Sequence, residues 1–171
     1  MALDYALREF VRADLPMMAE WLATPHARAW WGDPDEQVAL VTEDLDEPLM
    51  DQKIATLGSQ PFGYLQSYPA HAWPAVAPHL ADFAEGSVAV DCLVGPVDMV
   101  GQGHGAAMLR LYASQLLARG APEVLIDPDP ENERAVRAYR RAGFRDVARR
   151  RDGEGDMTLV MRFDPSPFIF S

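Results

Sequence analysis

The chain has 171 residues, 49% hydrophobic and 24% charged, with 15 basic against 26 acidic side chains and a net charge of −11. That is enough for one domain with a sizeable core, and the acidic balance disfavours nonspecific nucleic-acid binding, which needs Lys and Arg against phosphate. The single cysteine, Cys92, excludes an internal disulfide and a cysteine-based zinc cluster, and no apolar run reaches transmembrane length. The first residues carry Asp4 and Glu9 inside a short apolar pattern, unlike a signal peptide, so a cytoplasmic location without a membrane partner is expected.

In chain order, "YALREF" alternates as a strand. "ADLPMMAEWLA" is predicted as a helix with Asp14 as N-cap and Pro16 in its first turn. "HARAWWGDPDEQ" reads as a break rich in turn residues, and "PDEQVALVTEDL" as a second helix. "KIATLG" and "PFGYLQSYPA" form a hairpin. Residues 70–85 read as irregular, with Pro74 and Pro78 limiting any helix. "GSVAVDCLVG" is a strand. A helix follows "GQGHG", with Met108, Leu109, Tyr112, Leu116 and Leu117 at helical spacing and Gly120 as its stop. "PEVLID" is a strand, "ENERAVRAYRRA" a helix ended by Gly143, and "FRDVARRRD" with "DMTLVMRF" a closing hairpin around "DGEGD". Residues 1–171 therefore read as one domain of the α/β class, a mixed sheet with helices on its faces and an apolar tail over 164–171 that could pack on a partner.

Two features carry possible chemistry. In "VGQGHGAAM", Gly101, Gly103 and Gly105 lack Cβ atoms, and the first N–H groups of the following helix are unpaired. With the helix dipole they suit a phosphate, although each glycine could equally be a loop hinge. No Lys-Ser or Lys-Thr follows, so this is not a Walker loop. Asp91 is the second feature, a carboxylate in an otherwise apolar strand. Desolvation there would raise its pKa, while the plainer alternative is a strand-end Asp that caps a loop.

The strand "VAVDCLVG", the loop "GQGHG" and "NERAVRAYRRAGF" come in that order. Together they resemble the GNAT superfamily of acyl-CoA-dependent N-acyltransferases, whose pattern N-x-x-A-x-x-x-Y-x-x-x-G-F is matched from Asn132 to Phe144. "HARAWWGDP", "PFGYLQSYPA", "DCLVG" and "IDPDPENERAVRAYRRAGF" are most similar to the aminoglycoside 6′-N-acetyltransferases within it. The resemblance implies a mostly antiparallel, curved sheet with helices on both faces and a splayed central strand pair. It implies acetyl-CoA as co-substrate, no metal, a small-molecule amine as acceptor and a monomer or homodimer. Leu93 and Val94 would pair with the pantetheine arm through their backbone, and Asn132 would hydrogen-bond to it, besides being a natural helix cap. Gly101, Gln102, Gly103, His104, Gly105 and Ala106 would hold the pyrophosphate. Val100 stands where the superfamily usually has Arg or Gln, so backbone N–H groups would do most of that work, with Gln102 and His104 as side-chain helpers.

Acyl transfer from a thioester to an amine requires a base for the amine, a polarised carbonyl, a proton for the leaving thiolate and two substrates held together. The resemblance assigns Asp91 as base or amine anchor. It assigns Tyr139 as acid, and a phenol of pKa about 10 can protonate the conjugate base of a thiol of about 8.5. Outside that motif a mid-helix tyrosine would be read as core. Cys92 has no evident partner base and is read as a small core residue. The resemblance implies that Trp30 or Trp31, Tyr64, Trp73, Asp91, Asp127 and Asp152 fall near aminoglycoside-contacting positions, and Tyr68, four residues after Tyr64, shares its strand face; this is the aromatic and acidic set a polycationic amine wants. Each has a structural alternative, since tryptophans are usually core and "GDPDE" is a plausible helix start. Other acceptors in the superfamily are a hydroxylysine-like amine in siderophore pathways and protein amines. The siderophore group commonly carries a histidine at the position of Asp91. A non-catalytic acyl-CoA-binding module would not need both Asp91 and Tyr139.

Overall fold

A computed structural model describes residues 3–166. Seven strands are joined in the order β1-β2-β3-β4-β5-β7-β6: β1 Tyr5–Glu9, β2 Asp51–Leu57, β3 Gln60–Pro69, β4 Val88–Val94, β5 Val124–Ile126, β6 Phe144–Arg151 and β7 Met157–Phe163. The helices are α1 Leu15–Leu22, α2 Pro25–Trp31, α3 Pro34–Asp44, α4 His104–Ala118 and α5 Glu133–Ala142. Pairing is antiparallel between β1 and β2, β2 and β3, β5 and β7, and β6 and β7. It is parallel between β4 and β5, at Val88↔Val124 and Ala89↔Leu125 only, two positions of a seven-residue strand. The sheet is therefore mixed and mostly antiparallel, as expected. No described helix is long and apolar enough to cross a membrane. The residues "PFIFS" of the expected tail lie outside the described residues.

The described chain forms two compact units. One runs to Tyr68 and resumes over Asp91–Leu109; the other is Pro69–Val90 and resumes at Arg110. In the first unit, Ile54, Tyr64 and Leu93 from β2, β3 and β4 pack with Phe10, Met18, Trp21, Leu22, Ala27 and Val41 of the α1–α3 side. The opposite face takes the start of α4. A Cβ on Gly63 would lie 2.2 Å from the Met108 sulfur, so glycine there admits the helix. A register shift after Ala55 lets Phe62 meet His104, ring centroids 5.6 Å apart. This unit thus has helices on both faces of its strands.

Two local expectations are corrected. "HARAWW" is helix α2 rather than a break, because Thr24 is extended and Pro25 supplies a prearranged first turn. Asp14 stands at the N-cap of α1 but its side chain does not cap that helix. It accepts both guanidinium nitrogens of Arg8 at 2.8 Å and the Val11 N–H at 2.9 Å. The Arg8 hydrogen bond holds its carboxyl below the ordinary range against the opposing effect of burial. Asp33, by contrast, caps α3 by accepting the Glu36 N–H at 3.0 Å.

In the second unit, α5 is flanked by Asn132 as its N-cap and by Gly143, whose φ of 111° is the left-handed stop expected of a glycine. β6 and β7 close the chain as the predicted hairpin. The segment 70–85 is irregular as predicted, apart from a 3-10 turn over Pro78–Leu80.

Candidate active site

The glycine loop has the form a phosphate cradle requires. Gly101 and Gly103 have φ of 77° and 89°, a region that side chains other than glycine rarely adopt. A Cβ at either would point into open space, so the backbone is approachable there. The Gly103 carbonyl accepts the Ala107 N–H at 3.1 Å, which makes it the first acceptor of α4. The N–H groups of His104, Gly105 and Ala106 therefore precede the helical ladder and face outward along the dipole. Gly105 is glycine for another reason: its Cβ would sit 3.2 Å from a Val94 methyl.

The two expected side-chain helpers are engaged elsewhere. His104 Nδ1 lies 2.7 Å from the Tyr5 hydroxyl, in an aromatic cluster with Tyr5 and Phe62. Gln102 donates its amide to the Asp98 carbonyl and closes the loop on itself. Both side chains are thus held within the protein, and the backbone N–H groups at the start of α4 are the donors that remain at the loop.

Leu93 is buried on β4 and Val94 is half-buried at its end. The Val94 carbonyl pairs with His26 Nε2 at 2.7 Å, and the Gly95 N–H donates to the Phe62 carbonyl at 2.8 Å. His26 was not legible as a bracing residue, because its partner is a backbone atom 68 positions away.

Asp91 is half-buried on β4, and its Oδ2 accepts the Gln66 amide at 2.9 Å. Behind Gln66 stands Tyr64, which is fully buried. Its hydroxyl donates to Gln66 Oε1 at 2.8 Å and accepts from Gln52 Nε2 at 2.9 Å. Burial pushes this hydroxyl far above the ordinary phenol range, and the nearby charges of Asp44, Asp91 and Asp51 add to that, outweighing Gln52. The expectation of Tyr64 as an exposed acceptor wall is corrected: it is a core residue behind the carboxylate. The two tryptophans also part company. Trp31 packs edge-on to Tyr64 at 6.3 Å, whereas Trp30 is 48% exposed. Tyr68 is half-buried at the end of β3.

In the second unit, Asn132 caps α5 by accepting the Ala135 N–H at 3.3 Å, and Tyr139 is half-buried on that helix. Asp127, just past β5, pairs through Oδ2 with His79 Nε2 at 2.6 Å. The His79 side chain is 3% exposed, its Nδ1 has no partner, and its carbonyl accepts Arg150 at 2.9 Å. His79 lay hidden in the irregular segment, where no spacing rule ties a histidine to a carboxylate 48 residues later. Trp73 is half-buried and opens a turn, its carbonyl accepting the Val76 and Ala77 N–H groups at 3.0 and 2.9 Å. That turn meets the one built by Asp152. The Gly153 N–H donates to the Val76 carbonyl at 3.0 Å, and Asp152 Oδ1 accepts the N–H groups of Glu154 and Asp156. The Trp73 and Asp152 turns are thus joined to one another, while Asp127 is held by His79. Cys92 is half-buried on β4 rather than fully core. Among the described residues no group of three His, Cys, Asp or Glu side chains is placed to hold a metal ion.

The model of the acetyltransferase (GNAT) domain matches residues 11–151. Proteins named aminoglycoside N(6′)-acetyltransferase type 1, from Klebsiella pneumoniae and Serratia marcescens, are 32% identical over 153 residues, covering 81% of this chain and 72% of theirs. A solved structure of AAC(6′)-Ib with ribostamycin and coenzyme A superposes with a TM-score of 0.82 at 27% identity, covering 95% of this chain and 94% of that one. The same enzyme with paromomycin and acetyl-CoA gives 0.81 at 26%, over 95% and 94%. The chain therefore belongs to the acetyltransferase (GNAT) domain family.

Proposed function

We propose that the chain transfers the acetyl group of acetyl-CoA directly to a primary amine of an aminoglycoside. The observation that carries this reading is the 32% identity, over 81% of the chain, to enzymes named for that reaction. The residues fit it. Gly101 and Gly103 leave the loop backbone open to a pyrophosphate, and the free N–H groups of α4 favour its charge. The net charge of −11 favours the approach of a polycationic acceptor.

In this reading the acceptor arrives as an ammonium and gives a proton to Asp91. The free amine attacks the thioester carbonyl, forming the new C–N bond; the tetrahedral intermediate collapses by breaking the C–S bond, and the nitrogen's second proton and the one held by Asp91 pass to solvent. Tyr139 gives its proton to the departing thiolate, and solvent restores the phenol. Asn132 orients the pantetheine arm while capping its helix, and Leu93 and Val94 pair with that arm through their backbone. Trp30, exposed at the end of α2, and Trp73 supply flat surfaces for the acceptor.

Asp91→Asn tests the acceptor half. It keeps the shape and the Gln66 contact but removes the proton acceptor, so kcat/KM at neutral pH should fall on the order of a hundredfold or more. Full activity in that variant would place the base elsewhere.

A further inference from the structure

We propose that Tyr64 and Gln52 are positioning residues for Asp91, acting through Gln66 along one directed chain of hydrogen bonds. The proposal rests on the reading of Asp91 as the amine-side base.

The direction is fixed at both ends by chemistry. At one end the ionised Asp91 carboxylate only accepts, so Gln66 presents its NH₂ to it, at 2.9 Å. The Gln66 amide oxygen is thereby turned to Tyr64, whose hydroxyl must donate, at 2.8 Å. That leaves the Tyr64 oxygen as an acceptor, filled by Gln52 Nε2 at 2.9 Å. At the far end the Val41 carbonyl only accepts, and it takes the other hydrogen of the same Gln52 nitrogen at 3.0 Å. Each group has its polarity set by the next, from a helix carbonyl to the carboxylate. A reversed amide at any step would set donor against donor or acceptor against acceptor.

The location makes the polar identities hard to explain by packing. Gln52 is 5% exposed and Tyr64 0%, amid Phe10, Met18, Leu22, Val41, Ile54 and Leu93. Apolar residues there would avoid the desolvation of an amide and a hydroxyl. The strand register supports the chain, since Gln52 stands opposite Gln66, and Tyr64 and Gln66, two apart on β3, share a face. Tyr64 is itself wedged edge-on between Phe10 and Trp31, at 5.4 and 6.3 Å, so its hydroxyl cannot swing away. Burial keeps that hydroxyl protonated and therefore a standing donor. The consequence is a carboxylate whose Oδ2 is held by a donor that is itself oriented by Tyr64.

The test is a double-mutant cycle with Tyr64→Phe and Gln66→Leu, assayed with acetyl-CoA and a panel of aminoglycosides and polyamines. Tyr64→Phe keeps the ring and leaves Gln52 bonded to Val41, so the fold should survive. It should lower kcat on the order of tenfold with KM for acetyl-CoA unchanged. Because Tyr64 acts through Gln66, adding Tyr64→Phe to Gln66→Leu should cost nothing further. Multiplying losses, or an unchanged kcat in Tyr64→Phe, would overturn the proposal. A second readout needs no acceptor. The side-chain amide NMR signals of Gln66, identified by their loss in Gln66→Leu, should move toward free-amide positions in Tyr64→Phe; unchanged signals would also overturn it. If the wild-type protein acetylates none of the panel, the acceptor reading fails, while the NMR comparison still decides whether Tyr64 holds Gln66.

Discussion

At the scale of single residues, the motif from Asn132 to Phe144 serves structure at its two ends. Asn132 caps α5, and Gly143 ends it at a left-handed φ. Neither role needs Tyr139, which is half-buried between them. If Tyr139 is the acid for the leaving thiolate, Tyr139→Phe should lower kcat on the order of a hundredfold while leaving acetyl-CoA affinity nearly unchanged. Steady-state kinetics beside isothermal titration of acetyl-CoA check this, and an unchanged kcat would remove the role. The same scale shows what sequence could and could not supply. Asp91 drew attention because a carboxylate is out of place in an apolar strand. Gln66, Gln52, His26 and His79 did not, since each matters only through a partner 25, 12, 68 or 48 residues away. Tyr64 was misread for the same reason: the alternation that predicted its strand is silent on which face is covered by α1–α3.

At the scale of elements, glycines fix how β4 and α4 are built, for different physical reasons. The ring of Trp21 lies against Gly95, and a Cβ there would come within 2.1 Å of it. Gly95→Ala should therefore displace a core tryptophan and destabilise by about 2–3 kcal/mol, as overpacking does. Gly103→Ala meets open space and is opposed only by its φ of 89°, so it should cost about 1 kcal/mol and act mainly through weaker acetyl-CoA binding. Urea unfolding of both variants checks the order, and equal losses would contradict it. Most elements were legible because periodicity and stop residues agree over long stretches, as in α4 and the β6–β7 hairpin. Helix α2 was not. Its seven residues, with Trp30, Trp31 and a glycine at the end, resemble a turn-rich break until Thr24 and Pro25 are seen to start a helix.

At the scale of the whole molecule, the acidic balance leaves few basic partners, so the pairs that exist have visible consequences. The Arg8–Asp14 pair holds the Asp14 carboxyl below its ordinary value. A depressed folded value means stability that is fully present above the unfolded pKa of about 3.9 and lost as pH falls through the folded one. Asp14→Asn should thus destabilise at neutral pH by about 1 kcal/mol, the lower end for a charged hydrogen bond because the Arg8 side chain is 42% exposed. The gap to wild type should close below pH 4 in denaturant titrations; a constant gap would show that shape, not charge, is responsible. The central claim, acetyl transfer to an aminoglycoside amine, is tested most directly by one paired comparison. Purified protein is given acetyl-CoA with an aminoglycoside carrying a 6′-amine, and separately with its analogue carrying a hydroxyl there, and the products are read by mass spectrometry. The account predicts one added acetyl group on the amine and none at that position of the hydroxyl analogue. Acetylation of polyamines or hydroxylysine with neither aminoglycoside touched would contradict it.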